Sequence, residues 1–513
     1  MHTVPKILSA ELDGITAECI EVEADINVGL HSFSIVGLAD KAVSEAKERV
    51  NSALKNSGIR PPTKENRRIT INLAPADVKK VGSRFDLPIA LAYLLASEQI
   101  KTFETKDKIF VGELSLDGSL RPISGCLNIA KLAKKIGVRY LFVPYENKDE
   151  AAMIDGITAF GIKNLSELIR HLEETNLLNP EEKKNIIPMR PPISVSLSEV
   201  KGQESAKRAL TIAAAGGHNL LMSGPPGTGK TMLAQALASI LPYPSLEEMI
   251  EITEIYSAAG LTAHNQIIQW RPFRSPHHTA SLVSIIGGGT IPKPGEISLA
   301  HRGVLFLDEM PEFHRDTLEG LRQPLESGRI HIARAKKALV FPARFMLVAA
   351  MNPCPCGYFG DTIKECKCTA HEILRYQRKI SGPLFDRIDL QLEVPRIPIE
   401  ELRKKSGNKE QQEEEHIRKR ISDARAIQKE RATQAHLSVH TNSEFSSKQV
   451  DELFPLDPSA EAFLKNIVER SFISPRGYYR ILKVARTIAD IEDSPITKKE
   501  HLAEAFQYRI KEG

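Results

Sequence analysis

Hydrophobic and polar positions follow two periods along the first third of the chain. Some segments alternate residue by residue, as strands do, and others place apolar residues on one face of a helix. These patterns predict strands over residues 17–24, 32–36, 68–73 and 140–144, helices over residues 41–55, 87–97 and 128–135, and a hairpin over residues 109–123. The mixture of strands and helices predicts an α+β domain over residues 1–175.

The second third of the chain begins with an apolar strand, a glycine-rich turn and a helical run. The turn reads Gly224-Pro225-Pro226-Gly227-Thr228-Gly229-Lys230-Thr231 and fills every position of the phosphate-loop pattern. Glycines let backbone N–H groups face the phosphates, and the helix N-terminus favours their negative charge. We therefore expect the loop to bind ATP, with Lys230 reaching the β- and γ-phosphates and Thr231 ligating Mg²⁺.

Two further apolar strands in this region end in polar side chains. Residues 303–307 are followed by Asp308 and Glu309, and residues 345–351 are followed by Asn352. Ligands of open α/β sheets bind at the carboxyl ends of the strands. Asp308 is therefore expected to hold Mg²⁺ and Glu309 to polarise the attacking water. Asn352 is expected to contact the γ-phosphate or orient that water.

Two clusters add chemistry to this central part. Arg334, Lys336 and Lys337 form the turn of a predicted hairpin over residues 328–341, and they suit contact with nucleic-acid phosphates. A solvated basic turn is the alternative. Four cysteines lie in one short loop and favour a structural Zn²⁺ site over free or redox-active thiols; they are Cys354, Cys356, Cys366 and Cys368.

Composition narrows the class of protein. The 513 residues are 42% hydrophobic and 26% charged, which is ordinary for a globular protein, and the net charge of +4 does not by itself indicate a polyanion partner. No apolar run is long enough to span a membrane, and residues 1–6 do not resemble a signal peptide. A cytoplasmic protein without a membrane partner is predicted.

The remaining segments are less patterned. Residues 176–196 are charged and then proline-rich, as expected for a linker. Residues 404–415 are polar and predicted to be mobile, and residues 416–430 read as a charged helix. Three further helices are predicted, over residues 458–472, 475–491 and 497–510.

Residues 75–84 and 120–125 resemble the proteolytic domain of Lon proteases, which has the ribosomal S5 domain 2-like fold. The nucleophilic serine of those proteases corresponds to Arg84 here, and their catalytic lysine corresponds to Leu127. A Ser–Lys mechanism needs a hydroxyl and an amine within hydrogen-bond reach. The resemblance therefore implies an inactive Lon-like domain with a structural or DNA-contacting role.

Residues 273–281, 287–289 and 294–296, together with the motifs above, resemble the magnesium-chelatase-like AAA+ family, and within it the ComM/YifB type. The resemblance covers essentially the whole chain. It implies a central AAA+ P-loop α/β domain over residues 197–395 and a C-terminal helical lid over residues 396–513. It also implies a ring, as a hexamer, that acts as a DNA helicase.

For this type the resemblance implies branch migration of single-stranded or branched DNA in homologous recombination or natural transformation, alongside recombination proteins. It places the basic hairpin in the ring's pore. Arg387 suits a finger reaching a neighbouring subunit's γ-phosphate, with an intrachain salt bridge as the alternative. Arg476 corresponds to the lid arginine that senses the γ-phosphate, here expected in the subunit that carries the phosphate loop.

Two other functions remain open at this point. A motor subunit driving Mg²⁺ insertion into a porphyrin would use the same ATPase, although the Lon-like domain argues against it. A non-proteolytic scaffold or adaptor would use the Lon-like domain for binding, although intact phosphate-loop, acidic and arginine motifs argue against pure scaffolding.

Overall fold

The computed structural model describes residues 4–64, 66–183, 185–192, 195–262, 267–289, 292–332, 339–403, 407–470 and 473–509. The first part of the chain contains these elements: β1 (Lys6–Asp13), β2 (Thr16–Val28), β3 (Ser32–Val36), α1 (Lys41–Ser44), α2 (Ala46–Asn56), β4 (Arg67–Ala74), α3 (Asp86–Ala96), β5 (Lys108–Phe110), β6 (Glu113–Leu114), β7 (Leu120–Arg121), α4 (Cys126–Lys135), β8 (Tyr140–Pro144), α5 (Lys148–Ala151), β9 (Thr158–Ile162) and α6 (Leu165–Leu172).

The central part continues with α7 (Glu204–Gly216), β10 (Leu220–Ser223), α8 (Lys230–Ile240), α9 (Leu246–Ala259), β11 (Phe273–Arg274), α10 (Leu282–Ile286), β12 (Gly287–Gly288), β13 (Lys293–Pro294), α11 (Glu296–Leu299), β14 (Val304–Leu307), α12 (Arg315–Gly320), α13 (Arg322–Ser327), β15 (Arg329–Ile332), β16 (Leu339–Pro342), β17 (Met346–Met351), α14 (Ala370–Gln377), α15 (Gly382–Phe385) and β18 (Leu390–Glu393). The last part is helical and contains α16 (Ile399–Leu402), α17 (Asn408–Gln434), α18 (Ser447–Leu453), α19 (Pro458–Arg470), α20 (Pro475–Ile491) and α21 (Lys499–Gln507).

The chain divides into two compact units. The first comprises residues 1–187 and 246–268, and the second comprises residues 188–245 and 269–513. The first boundary therefore falls inside the predicted linker, and α9 lies with the first unit although the sequence places it in the ATPase segment. The C-terminal helices share one unit with the central strands instead of forming a separate body.

The first unit is built on a seven-stranded mixed sheet with the order β3-β4-β2-β1-β5-β8-β9. Its apolar faces bury a core that includes nearly all of α3. The predicted strands are present, but the helix expected over residues 41–55 is interrupted, since Glu45 separates α1 from α2. The sequence patterns missed the edge strand β9 and the helix α6 that follows it.

The two positions that correspond to a Lon catalytic pair hold other chemistry. The Arg84 Nη1 atom lies 3.7 Å from Oε1 of the buried Glu11, and Leu127 is fully buried in an apolar cluster. Helix α9 packs beside α4 in this unit, where Ser257 Oγ accepts a hydrogen bond from Gly125 N at 3.0 Å. The Lon-like assignment itself stays a prediction.

The second unit is built on a five-stranded parallel sheet with the order β11-β14-β17-β10-β18. Strands β14 and β17 are buried along their whole length, as expected for a parallel sheet covered on both faces. Because the five strands are parallel, their carboxyl ends meet at one edge. The turns after β10, β14 and β17 therefore open on the same side of the sheet.

The C-terminal region is helical, as predicted. The prediction of a mobile stretch over residues 404–415 is wrong for residues 408–415, because they form the first turns of the 27-residue helix α17. Its buried residues Ile421 and Ala424 join the apolar core of the second unit, which holds a helix that is otherwise charged. None of the helices within the described residues combines the length and apolarity needed to cross a membrane.

Candidate nucleotide site

The phosphate loop connects β10 to α8 at the carboxyl edge of the five-stranded sheet. Gly227 and Gly229 have φ values of +78° and +85°, a region that side chains disfavour. At Gly224 a Cβ atom would lie 2.2 Å from the carbonyl oxygen of Val394, so the loop also needs glycine for close packing. The backbone N–H groups at the start of α8 are thus available to an anion.

Lys230 is the first residue of α8 and is largely buried. Its ammonium group donates to the carbonyl oxygens of Gly224 and Pro225 at 2.7 and 2.9 Å, and to Asn352 Oδ1 at 3.3 Å. Burial lowers the pKa of Lys230, while the nearby Asp308 and Glu309 act to raise it. The predicted phosphate lysine and Asn352 are therefore in direct contact, although they are far apart in sequence.

Thr231 and Asp308 also meet at this edge. The Thr231 hydroxyl donates to Asp308 Oδ2 at 2.8 Å, across the end of β14. A hydroxyl and a carboxylate oxygen this close are the ligand types that Mg²⁺ takes beside a nucleoside triphosphate. The donor set therefore fits the predicted magnesium site.

Glu309 follows Asp308 with a left-handed backbone, at φ +50°. Its Oε2 atom lies 3.8 Å from His278 Nδ1, and the ring of His278 packs against that of His277 at a tilt of 34°, with the centroids 4.1 Å apart. Their relation to Glu309 needed the pairing of β11 with β14, which no local pattern announces.

Gln203 is a second residue whose contact was missed. Its side-chain amide donates to the carbonyl oxygen of Thr228 at 3.0 Å and so supports the phosphate loop from outside. The residue has φ +55° and immediately precedes α7 as its N-cap.

Arg387 lies near the amino ends of the strands, whereas the phosphate loop lies at their carboxyl ends. It precedes β18, and the carbonyl of Arg387 accepts a hydrogen bond from the side chain of Asn219 at the start of β10. A four-residue strand spans roughly 13 Å, so Arg387 is remote from the loop of its own chain. It forms an intrachain ion pair with Glu326 at 2.5 Å, the alternative that the sequence left open.

Arg476 lies with Arg387 and not with the phosphate loop. Its Nη2 atom is 2.9 Å from the Glu326 oxygen that Arg387 contacts. The expectation that Arg476 serves the nucleotide of its own subunit stays a prediction, although this arrangement places Arg476 beside Arg387. The reason is topological, because α20 begins beside the amino ends of the strands.

The four clustered cysteines converge as predicted. The Sγ atom of Cys354 lies 3.4 Å from that of Cys356 and 3.7 Å from that of Cys366, and all four Sγ atoms fall within 4.8 Å of one another. The edge of a tetrahedral Zn–S₄ site is about 3.8 Å for Zn–S bonds of about 2.3 Å. The thiols therefore fit a zinc ion. The same loop packs closely on the phosphate loop, since a Cβ atom added at Gly357 would lie 2.8 Å from Pro226.

The basic hairpin is described only in its strands. β15 and β16 pair antiparallel, ending with Ile332 opposite Leu339. The predicted DNA-contacting residues of the turn lie outside the described residues; they are Arg334, Lys336 and Lys337.

Comparisons with known families agree along the chain. Residues 196–402 match the family described as magnesium chelatase, subunit ChlI. Residues 22–147 match subunit ChlI of Mg-chelatase, and residues 411–509 match the C-terminal part of that subunit. Three matches thus cover both compact units.

Among related proteins, YifB of Escherichia coli (strain K12) is 44% identical over 97% of this chain and 95% of its own length. Competence protein ComM of Haemophilus influenzae is 43% identical with the same coverage. The magnesium-chelatase 67 kDa subunit of Chlorobaculum parvum is 27% identical over 31% of this chain and 23% of its own length. The chain therefore belongs to the magnesium-chelatase-like AAA+ family, and within it to the ComM/YifB type.

Proposed function

We propose that the protein hydrolyses ATP with Mg²⁺ at a site completed by a neighbouring subunit of a ring. One observation carries this proposal. Lys230, Thr231, Asp308 and Asn352 converge at the carboxyl edge of the parallel sheet, with Lys230 bonded to Asn352 and Thr231 to Asp308. Four predicted residues from three separated segments thus share one site.

The residues divide the work by their chemistry. The phosphate loop binds and orients the triphosphate through backbone N–H groups, and Lys230 offsets its charge. Thr231 and Asp308 would hold Mg²⁺, which neutralises charge that develops on the phosphates. Glu309 accepts the proton of the attacking water, and Asn352 orients that water or the γ-phosphate.

Arg387 and Arg476 would act on the nucleotide of the next subunit. Both lie at the sheet edge away from the phosphate loop, so their own nucleotide is out of reach. Head-to-tail contact between identical subunits brings one edge against the other and closes into a ring. We propose a hexamer, following the resemblance.

DNA is the proposed substrate along which the protein moves. The full-length similarity to competence protein ComM supports a cytoplasmic DNA helicase that promotes branch migration in recombination or natural transformation. The hairpin β15–β16 would present Arg334, Lys336 and Lys337 to single-stranded or branched DNA. In this role the protein would act together with recombination proteins.

ATP hydrolysis with and without a synthetic four-way junction tests the proposal. We expect the junction to raise the rate of the wild-type chain. Lys230→Ala and Glu309→Gln should abolish hydrolysis under both conditions, because they remove the phosphate cation and the base. A wild-type rate in Lys230→Ala would refute the assignment of the site.

We further propose that the four-cysteine loop binds structural Zn²⁺. The support is the arrangement of the four thiols, whose spacing suits tetrahedral coordination. Bound zinc would fix a loop that contacts the phosphate loop through Gly357 and Pro226. Metal analysis of the purified chain tests this, and a zinc content far below one per chain would contradict it.

A motor that drives Mg²⁺ insertion into a porphyrin is the second candidate. The three magnesium-chelatase family matches favour it. Against it, the chelatase subunit of Chlorobaculum parvum covers 31% of this chain, whereas ComM covers 97%. Stimulation of ATP hydrolysis by a porphyrin and Mg²⁺, with none by DNA, would reverse this preference.

A further inference from the structure

The carboxylate of Glu326 joins two arginines that come from distant parts of the chain. Arg387 Nη2 donates to Glu326 Oε1 at 2.5 Å, and Arg476 Nη2 lies 2.9 Å from the same oxygen. Glu326 belongs to α13, Arg387 precedes β18, and Arg476 lies in the first turn of α20. A single carboxylate oxygen therefore ties three elements together.

Arg387 depends on this partner because it is enclosed. Its side chain is 7% exposed, its Nη1 donates to the Pro383 carbonyl, and its buried Nε has no hydrogen-bond partner among the residues that the structure describes. Burial lowers the pKa of Arg387 and Glu326 opposes that effect, while the positive charges of Arg476 and Arg322 lower it as well. A buried cation that loses its counter-charge is strongly destabilised.

The two arginines differ in how exposed they are and in what anchors them. Arg476 is 56% exposed and sits on a lid helix, whereas Arg387 is anchored beside the sheet. Two guanidinium groups a few ångströms apart repel each other without an anion between them. Hydrolysis is sensitive to errors of about 1 Å in such groups, which can cost about 100-fold in rate.

We propose that Glu326 is a positioning residue that holds Arg387 and Arg476 as one unit, so that a subunit presents both together to its neighbour's γ-phosphate. This inference rests on the proposed composite site. Glu326 acts through the arginines, since a carboxylate in contact with the phosphate would repel it. Its effect therefore belongs to the subunit that donates the arginines and not to the one that binds ATP.

Glu326→Gln tests this role, with Glu319→Gln as the matched control. Glu319 lies on the preceding helix α12 and pairs with Arg322 at 2.6 Å. We expect Glu326→Gln to lower kcat roughly tenfold while KM for ATP changes less than about twofold, because the neighbour's phosphate loop holds the nucleotide. Glu319→Gln should keep kcat within about twofold of wild type. The melting temperature and the number of subunits in the ring, measured for both variants, show whether they fold and assemble.

Mixed rings then locate the defect. When Glu326→Gln subunits are mixed equally with Lys230→Ala subunits, about half of them gain a neighbour with an intact arginine pair. The rate per Glu326→Gln subunit should therefore rise several-fold. Mixing with Arg387→Ala subunits should give no rise, and Glu326→Gln should add little to the defect of Arg387→Ala in one chain.

Different results would contradict the positioning role of Glu326 and the composite site. A wild-type kcat in Glu326→Gln, or a defect that persists beside Lys230→Ala subunits, would overturn the positioning role. Loss of folding or assembly in Glu326→Gln alone would also overturn it in favour of a structural role. A wild-type rate in Arg387→Ala would instead overturn the composite site.

Discussion

The placement of Arg476 beside Arg387 predicts how two inactive variants behave in one ring. Arg387→Ala and Arg476→Ala subunits each keep an intact phosphate loop, and each lacks one arginine of the pair at Glu326. Loss of an arginine that stabilises the γ-phosphate costs about 10³-fold or more in kcat, so either variant alone has a negligible rate. In the mixture no subunit carries both arginines. The rate should therefore stay at that of the variants.

The alternative, in which Arg476 serves the loop of its own subunit, gives a different number. An Arg387→Ala subunit would then hold a loop with Arg476, and an adjacent Arg476→Ala subunit would supply Arg387. This ordered pair occurs at about one quarter of the interfaces in random equimolar rings, so about one quarter of the wild-type rate would return.

The assay is steady-state ATP hydrolysis at saturating ATP after the variants have been dissociated and reassembled together. Mixing Arg387→Ala with Lys230→Ala is the positive control, since it should recover about one quarter of the wild-type rate under either arrangement. Mixing Arg476→Ala with Lys230→Ala should recover the same fraction only if Lys230→Ala subunits donate both arginines, and nothing if Arg476 serves its own subunit. Recovery to about one quarter of the wild-type rate in the mixture of Arg387→Ala with Arg476→Ala would refute the reasoning.

Three further predictions concern other parts of the chain. Cys354→Ser should lower bound zinc and, through Gly357 against Pro226, reduce ATP hydrolysis; unchanged zinc content would argue against the site. Burial raises the pKa of Glu150 to about 7, with Ser257 and Asn147 opposing it, so the folded state holds a proton that the unfolded state releases above about 4.5. Stability should therefore fall between about pH 4.5 and 7, by a few kcal/mol, and denaturant unfolding of Glu150→Gln should show this fall removed. Although burial alone would raise it, Arg480, His218 and the N–H of Asn219 hold the pKa of Asp389 well below its usual range. The ionised Asp389 therefore stabilises the folded state above about pH 4, and this stabilisation is lost below that pH. Asp389→Asn should lower the free energy of unfolding at pH 7 by roughly 3 kcal/mol, measured by denaturant unfolding. A decrease of less than about 1 kcal/mol would contradict this.

Much of the candidate nucleotide site follows from local sequence. Strand β17 appears within a residue of its predicted bounds because apolar runs bounded by polar residues admit little else in a parallel sheet. Asp308 and Asn352 were placed together by one rule, that parallel strands end at one edge. The contacts Lys230–Asn352 and Thr231–Asp308 bring these residues together at that edge.

What the sequence missed depends on packing between distant segments. Glu326 sits in a short helix with no motif, and its role is visible only once α13, β18 and α20 have been assembled around it. Helix α9 follows the phosphate-loop helix in sequence, yet it belongs to the other unit through contacts such as Ser257 with Gly125. The start of α17 looked too polar for order, but Ile421 and Ala424 secure that helix further along.

The central claim is that ATP hydrolysis at this site moves branched DNA. Its most direct test is release of a labelled strand from a synthetic four-way junction by the full chain with ATP and Mg²⁺, with Lys230→Ala as the matched control. We predict release that requires ATP and is absent with Lys230→Ala. Hydrolysis that no DNA stimulates, with no strand released, would contradict the account.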